Sequence, residues 1–481
     1  MASSAERLEI HFQGGNRRNE FPIDCENANR DNTLGLLGKT YIKERGMKYR
    51  PSRLFLICIV PMLLSGVAGA LVWKKFNSVP MSVRAQADFF EILKYKEPQD
   101  FDMPTPEQLA RTRHVVEDLI SDLTREFPNL AAASHPVPDD ENAFLQLYLL
   151  GGSSFAGPQL SAEFQEMLKG EAALDAEAAR RCLEEHAEFV SRIEDISLME
   201  SCSSNNMPDD YIGFIAARVP YNGTSILLLK ARLAAEAGDE DEVLRLVMAA
   251  ANLGSHYRKI ENPNLLSETI AVLIDLSVRD ITFKHLLPAL GKDADLVRWK
   301  EALNHHQYTP ASYAEVLRGE WFIGSRYMLY PIILDPSKPN APKDGENLAR
   351  AHAANFSFQI ESIRRKQLAD LLTYDGNASN EFYRDLSEES REIADIFMIG
   401  TQSWAKGFVR AAMKVAQYDA AMELLILERK EGSIGAEDSE GVVTNPINGK
   451  AFEYDAVTRK LSAPPVSEDQ EVETLVLPSC S

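Results

Sequence analysis

Thr224-Ser-Ile-Leu-Leu-Leu-Lys-Ala-Arg-Leu-Ala-Ala-Glu-Ala-Gly-Asp-Glu-Asp-Glu-Val-Leu-Arg-Leu-Val-Met-Ala-Ala-Ala-Asn-Leu253 is the stretch whose reading decides the fold. Ile226, Leu229 and Leu233 recur at helical spacing, Gly238-Asp239 interrupts, and Val243, Leu246, Val247 and Ala250 resume the same period. The spacing predicts two helices folded back on one another as an antiparallel hairpin. Alanines at 231, 234, 235, 249 and 250 keep the facing surfaces small enough for close approach.

The same pattern extends in both directions. Toward the N-terminus, Thr105-Pro106-Glu107-Gln108 reads as a cap, a first-turn proline and a capping-box glutamine. The helix it opens carries Leu109, Val116, Leu119 and Leu123 on one face and Arg111, Glu117 and Asp118 on the other. Ser134 to Glu141, with Pro136 and Pro138, breaks the chain before an apolar helix at 142–150. Further helices are expected at about 160–169 and 174–196, the second with Cys182, Phe189, Val190 and Ile193 on one side. A polar loop follows at 201–210. Beyond the hairpin, helices are predicted at 265–287 after Asn262-Pro263, at 293–303, and from Thr309-Pro310 onward with Trp321 and Tyr327.

Asp335 to Asp344, rich in Pro and Lys, reads as a surface loop and an internal boundary. Two long helices are expected after it, at 346–373 and 386–430. Val442 to Gly449 is turn-rich, Ala451 to Tyr454 alternates like a strand, and Arg459 to Leu461 is placed to pair with it. The acidic tail from Ala463 reads as loose. No self-similarity of fixed period supports a named repeat class. The expected fold is therefore mostly α, an irregular array of α-hairpins with a small C-terminal β-hairpin.

Ahead of this body, Leu54 to Trp73 contains no charge, and its length matches the roughly 20 residues a helix needs to cross about 30 Å of hydrocarbon. Lys39, Lys43, Arg45, Lys48, Arg50 and Arg53 precede it against the single acid Glu44, whereas Lys74, Lys75 and Arg84 follow. The positive-inside bias then leaves residues 1–53 in the cytoplasm as a disordered tail and exports the body through a linker at 74–104. Met47-Lys-Tyr-Arg-Pro-Ser-Arg53 has the form of a signal-sequence start, which makes Met47 an alternative beginning. Ala68-Gly69-Ala70 has the form of a signal-peptidase site. Retention as an anchor is favoured by Leu71-Val-Trp73 and Lys74-Lys75, an interfacial pattern; cleavage after Ala70 would release the body. The expected partner on this side is the membrane itself.

Composition narrows the functional classes. The 481 residues include 72 acidic and 51 basic side chains, a formal charge of −21, with no basic stripe that could track a phosphate backbone. Nucleic acid is not an expected partner. Five cysteines lack any Cys-x-x-Cys pair or zinc spacing, so no metal or cofactor is expected. Cys182 and Cys202 are either a disulfide of an oxidising compartment or two small buried apolar side chains.

Several pieces together resemble a family of large uncharacterised bacterial envelope proteins with an N-terminal membrane helix and an extracytoplasmic helical body. The matching stretches are Pro138-Asp-Asp-Glu-Asn-Ala143, the hairpin with Gly238-Asp239, Arg318-Gly-Glu320, and Asn445-Pro446-x-x-Gly449-Lys450-x-Phe452-x-Tyr454. The family's last motif begins Asp-Pro and follows a Tyr-Pro pair; here Asn445 replaces the acid and Ser433-Ile-Gly435 stands in place of Tyr-Pro. The closing pattern also resembles the C-terminal part of type II secretion pseudopilin-like proteins. The resemblance implies a bacterial inner-membrane protein facing the periplasm, and no reaction.

Candidate chemistry is sparse. Ser403-Trp-Ala-Lys406 has the Ser-x-x-Lys form in which a lysine one helical turn away activates a serine, but no Lys-Thr-Gly follows. His305 and His306, with Glu301, Glu315 and Glu320 nearby, could supply an acid-base site. Adjacent residues of a helix point about 100° apart, so a histidine pair between helices is the simpler reading. Glu320 is alternatively a helix residue paired with Arg318 or Arg326. Gly152-Ser-Ser-Phe-Ala156 lacks the final glycine of a nucleophile elbow and reads as a turn. The expectation is a membrane-anchored, non-enzymatic protein that binds a protein or cell-wall partner. The alternatives are an envelope hydrolase or transferase using Ser403 and Lys406 or His305 and Glu320, and a secretion-system accessory protein.

Overall fold

A computed structural model describes residues 106–478 apart from 133–134, 152–157, 159, 206, 208–217, 305, 336–343, 375–380, 437, 439–440 and 464–473; within helices, the side chains of 106, 389 and 392–403 are also outside the description. The Leu54–Trp73 run, the flanking tail and linker, and the Gly152 turn lie outside these residues. Among the described residues no helix is long and apolar enough to cross a membrane.

Twelve helices of eight or more residues make up most of the described chain. α1 (Pro106–Glu126) buries Thr112, Val116, Ile120 and Leu123, a line displaced slightly from the expected one so that Leu109 and Leu119 are only half-buried. α2 (Ala143–Gly151) and α3 (Ala162–Lys169) form where expected. The single helix expected at 174–196 is two, α4 (Ala176–Glu185) and α5 (Ala187–Ser197). His186 leaves helical geometry at φ −112° and ψ 19°, so Cys182 and Ile193 reach the core from differently directed segments.

α6 (Arg218–Glu236) and α7 (Glu240–Lys259) are the hairpin. Gly238 takes the left-handed conformation at φ +73°, its N–H bonds Ala235 O, and Asp239 N–H bonds Ala234 O, the paired bonds of a Schellman stop. Asp239 then caps α7 by accepting from Glu242 N at 3.1 Å. Acids fill the first turn of α7 and Arg258 and Lys259 its last, both favourable to the helix dipole.

α8 (Leu265–Ile281) is buried almost all round, with Asn264 and Ser267 forming its capping box. Gly254 of α7 lets the two helices close: a Cβ there would lie 3.1 Å from Ile274. α9 (Leu296–Leu303) starts at the Asp295 cap and is shorter than expected. α10 (Pro310–Gly324) carries a Thr309–Ser312 capping box. Both α8 and α10 run on through a π turn, Thr282–Leu286 and Ser325–Leu329, into one more helical turn. Each π turn comes just before a proline, Pro288 or Pro331; the wider i to i−5 bonding relieves the clash and lost donor that proline brings to a regular helix.

α11 (Gly345–Arg364) ends nine residues before the expected limit, because Gln367 and Asp370 cap a separate 3-10 turn at Leu368–Leu372. Asp335, expected on a surface loop, is buried and pairs with Arg111 at 3.4 Å. α12 (Glu388–Glu431) has 44 residues, starts at the Ser387 cap and stops at left-handed Gly432.

The expected hairpin is part of a three-stranded antiparallel sheet, β1 (Glu453–Asp455), β2 (Lys460–Ser462) and β3 (Thr474–Val476), in that order. Tyr454, Leu461 and Leu475 line up across it and are buried. The tail is thus not loose throughout: Leu475 and Leu477 gain a core by pairing with β2, a non-local contact that no tail composition reports.

Two cores result. The first joins α2 to α9, the lower half of α12 and the sheet; the second joins α1, α10, α11 and the upper half of α12. Both draw on residues from either side of 335–345. α12 crosses between them, contributing Ala405, Phe408, Val409 and Ala412 to one and Val415, Tyr418 and Leu424 to the other.

Candidate functional site

Ser403 and Lys406 sit one turn apart on α12, with Lys406 half-buried; the Ser403 side chain and His305 lie outside the described residues. Glu320 is not paired with Arg318 or Arg326. Its Oε2 instead accepts the N–H of Leu265 at 3.2 Å, filling one of the orphan donors at the start of α8, and burial pushes its carboxyl pKa up. Arg318 bonds Glu315 and the carbonyl of Glu261, and Arg326 bonds Glu117. His306 packs edge-on against Tyr308, with ring centroids 4.8 Å apart, and its Nε2 is buried without a hydrogen-bond partner. Burial, then the nearby Arg258 charge, lowers its pKa to about 4, so the ring is neutral. Glu320, His306 and Lys406 share no hydrogen bond or ion pair.

The strongest polar cluster is one that the sequence reading did not single out. Arg258 of α7 holds Glu268 of α8 through both Nε and Nη2 and donates to Tyr308 Oη at 2.7 Å. Tyr308 donates to Asp275 at 3.2 Å, Asp275 accepts from Arg279 Nε at 3.0 Å, and Arg279 reaches Asp419 of α12 at 2.5 Å and the carbonyl of Leu303 at 2.6 Å. Burial would raise Asp275, but the Arg279 and Arg258 guanidiniums hold its carboxyl below the usual range. For Glu268 and Asp419 burial prevails over the same partners and raises them. Glu268, Asp275 and Arg279 fall seven and four residues apart on α8, which places them on one face. That spacing was the available signal. Bidentate, mutually closed pairs of this kind bolt α7, α8, α9 and α12 together.

A second polar knot surrounds Glu261, in the turn before α8. Its carboxylate accepts from Ser203 Oγ and Ser204 N, each at 2.7 Å, and from Ser204 Oγ and Asn205 Nδ2, each at 3.1 Å. Beside it, Cys202 Sγ lies 3.3 Å from His256 Nδ1, while His256 Nε2 lies 3.1 Å from the Ile196 carbonyl. That carbonyl can only accept, so Nε2 carries the proton and the thiol donates to Nδ1. Burial pushes the Cys202 thiol to about 12 and lowers His256 to about 4, the reverse of an activated thiolate pair. Cys182 is also buried, and both thiols are free; the reading as small buried side chains holds and the disulfide is not formed.

The knot forms one side of a surface pocket of about 360 Å³ between α1 and α10. Glu117, Ser121 and Thr124 line it from α1, Phe322 and Arg326 from α10 and its π turn, and Asn205 and Asn262 from the two loops. Arg318 cross-links the walls by donating to the carbonyls of Ala131 and Glu261 at 3.4 and 2.8 Å. Gly319 is required where α10 crosses this turn, since a Cβ would come within 2.1 Å of Pro263 O. Arg326 pairs with Glu117 at 2.9 Å and lies over the Phe322 ring at 5.6 Å. Asn262 is buried, and its side-chain oxygen has no hydrogen-bond partner, a deficit that costs about 1–3 kcal/mol when nothing fills it. The lining comes from four separate segments, so no local motif announces it. Among the described residues no group of three or more His, Cys, Asp or Glu side chains could hold a metal ion.

Compared with known proteins, the chain matches no protein-family model, no curated protein and no solved structure.

Proposed function

We propose that this chain is a membrane-tethered, non-enzymatic envelope protein whose helical body binds a protein or cell-wall partner. The tether is the uncharged Leu54–Trp73 run with its basic N-terminal flank, which directs the body outward. One observation carries the reading of the body: its largest buried polar clusters are closed into the fold. Glu320 caps α8, Glu261 ties down residues 203–205, and Arg258, Asp275 and Arg279 satisfy one another between helices. Such an array is rigid and presents a fixed surface, which lowers the entropy lost on binding a partner.

The test is cross-linking and capture of the full chain from detergent-solubilised membranes, alongside Ser403→Ala, Lys406→Ala and Glu320→Gln variants and a serine-reactive probe. The expected result is one recurrent partner, kept by the Ser403 and Lys406 variants, with no probe labelling. Recurrent capture of nothing specific overturns the binding role. Labelling that vanishes in Ser403→Ala replaces it with an envelope acyl-transfer enzyme.

A further inference from the structure

We infer that the pocket between α1 and α10 is a binding site for a neutral, polyhydroxylated ligand of mono- or disaccharide size. Among the described residues the lining is electrically balanced. Glu117 and Arg326 face each other at 2.9 Å, and the other polar lining groups are the hydroxyls of Ser121 and Thr124 and the amides of Asn205 and Asn262. Arg113, outside the pocket, approaches Glu117 only at 3.7 Å. An anion would meet the Glu117 carboxylate, and a cation the Arg326 guanidinium. A molecule without net charge meets neither penalty.

A sugar hydroxyl both donates and accepts, and needs neighbours of both kinds. Glu117 accepts only, Arg326 donates only, and the hydroxyl and amide groups do either. The Thr124 hydroxyl already gives its proton to the Ser121 carbonyl at 3.0 Å, which leaves its oxygen as an acceptor. The buried Asn262 oxygen lacks a donor, and an O–H is a group that could supply one. Ile120, Leu130 and Phe322 add apolar surface of the sort that packs on the C–H faces of a sugar ring. The volume falls at the small end of the range that ligand pockets occupy. The frame is built in advance: Arg318 and Glu261 hold the walls whether or not anything is bound, so little ordering remains for the ligand to impose.

The site stands apart from the partner-binding reading, since a captured protein partner with no sugar binding would leave that reading and remove this one. The experiment is saturation-transfer NMR on the full chain in a detergent without a sugar head group. The probes are glucose, N-acetylglucosamine, maltose and chitobiose, with glycine, acetate and methyl phosphate as charged controls. The expected result is transfer to the ring protons of at least one sugar and none to the controls. It should be lost in Ser121→Trp, which fills the pocket from an exposed position on α1, while thermal melting stays unchanged. Thr124→Tyr gives the same readout from the next turn if Ser121→Trp does not fold. No transfer to any of the four sugars, transfer that survives both substitutions, or transfer to glycine in preference to the sugars overturns the proposal.

Discussion

The two cores solve the same problem with different chemistry. In the first, the polar groups buried along α8 are charged: Arg258, Glu268, Asp275 and Arg279 close on one another and on Asp419. In the second, the chain of buried polar groups along α11 is neutral. Tyr374 donates to Gln359 at 2.9 Å, Gln359 to Asn355 at 3.1 Å, and Asn355 to Tyr383 at 3.0 Å, linking α11 to the segments on either side of 375–380. A neutral chain cut at Gln359 loses two hydrogen bonds between uncharged groups, whereas a closed ionic chain is left with a buried charge. The difference teaches where the molecule is brittle, since α8 is the helix on which the first core depends.

Cutting each chain at its centre is the harshest way to break the comparison. Arg279→Met strands Asp275 and Asp419 and is expected to cost about 3–5 kcal/mol, against about 1–3 kcal/mol for Gln359→Leu, measured as shifts in urea midpoint. Equal losses would mean that water screens the α8 network and that the contrast between the cores is only apparent.

Acid sharpens it next. His256 and His306 in or beside the first core and His352 in the second are buried or, for His306, half-buried, with pKa values lowered to about 4, 4 and 3, chiefly by desolvation. The unfolded chain therefore takes up protons that the folded chain refuses as pH falls below about 6.5, and stability drops by about 1.4 kcal/mol per pH unit for each histidine. Glu268 and Asp419, raised by burial, take up protons more readily in the fold than in the unfolded chain and oppose this in the first core. Denaturation between pH 7 and 5 should become shallower in His352→Phe. An unchanged slope would show that His352 is protonated in the folded protein.

The mildest probe sits on the α6–α7 turn. Asp239→Ala removes the α7 cap and is expected to lower stability by about 1 kcal/mol, with the pH slope unaltered. A loss as large as that of Arg279→Met would move the weak point of the first core from its network to its hairpin.

The helical layout was legible because its signals are local. Gly238-Asp239, Asn262-Pro263 and Thr309-Pro310 mark starts and stops through backbone chemistry that acts within a few residues, and each falls at an observed boundary. The break at His186, the π turns before Pro288 and Pro331, and the early end of α11 carry weaker signals, because neighbouring helices decide how a strained segment resolves. Asn445 shows the same division. Its side chain accepts the Ile447 N–H at 2.9 Å, a local turn bond, whereas the pairing of its backbone N–H with the Lys450 carbonyl joins the two sides of the turn.

By itself the sequence determined a long uncharged run ahead of an acidic body, the order of the helices, and which face of most of them is apolar. Helical period, caps and prolines operate over one or two turns, and a single chain reports them directly. Tertiary structure alone decided that β3 joins the sheet, that Glu320 caps a helix rather than pairing with an arginine, and that Asn205, Asn262, Glu117 and Arg326 meet around one pocket. Those side chains lie up to about two hundred residues apart, and only the packing of the helices, driven by apolar burial that is blind to which polar groups it brings along, sets them side by side.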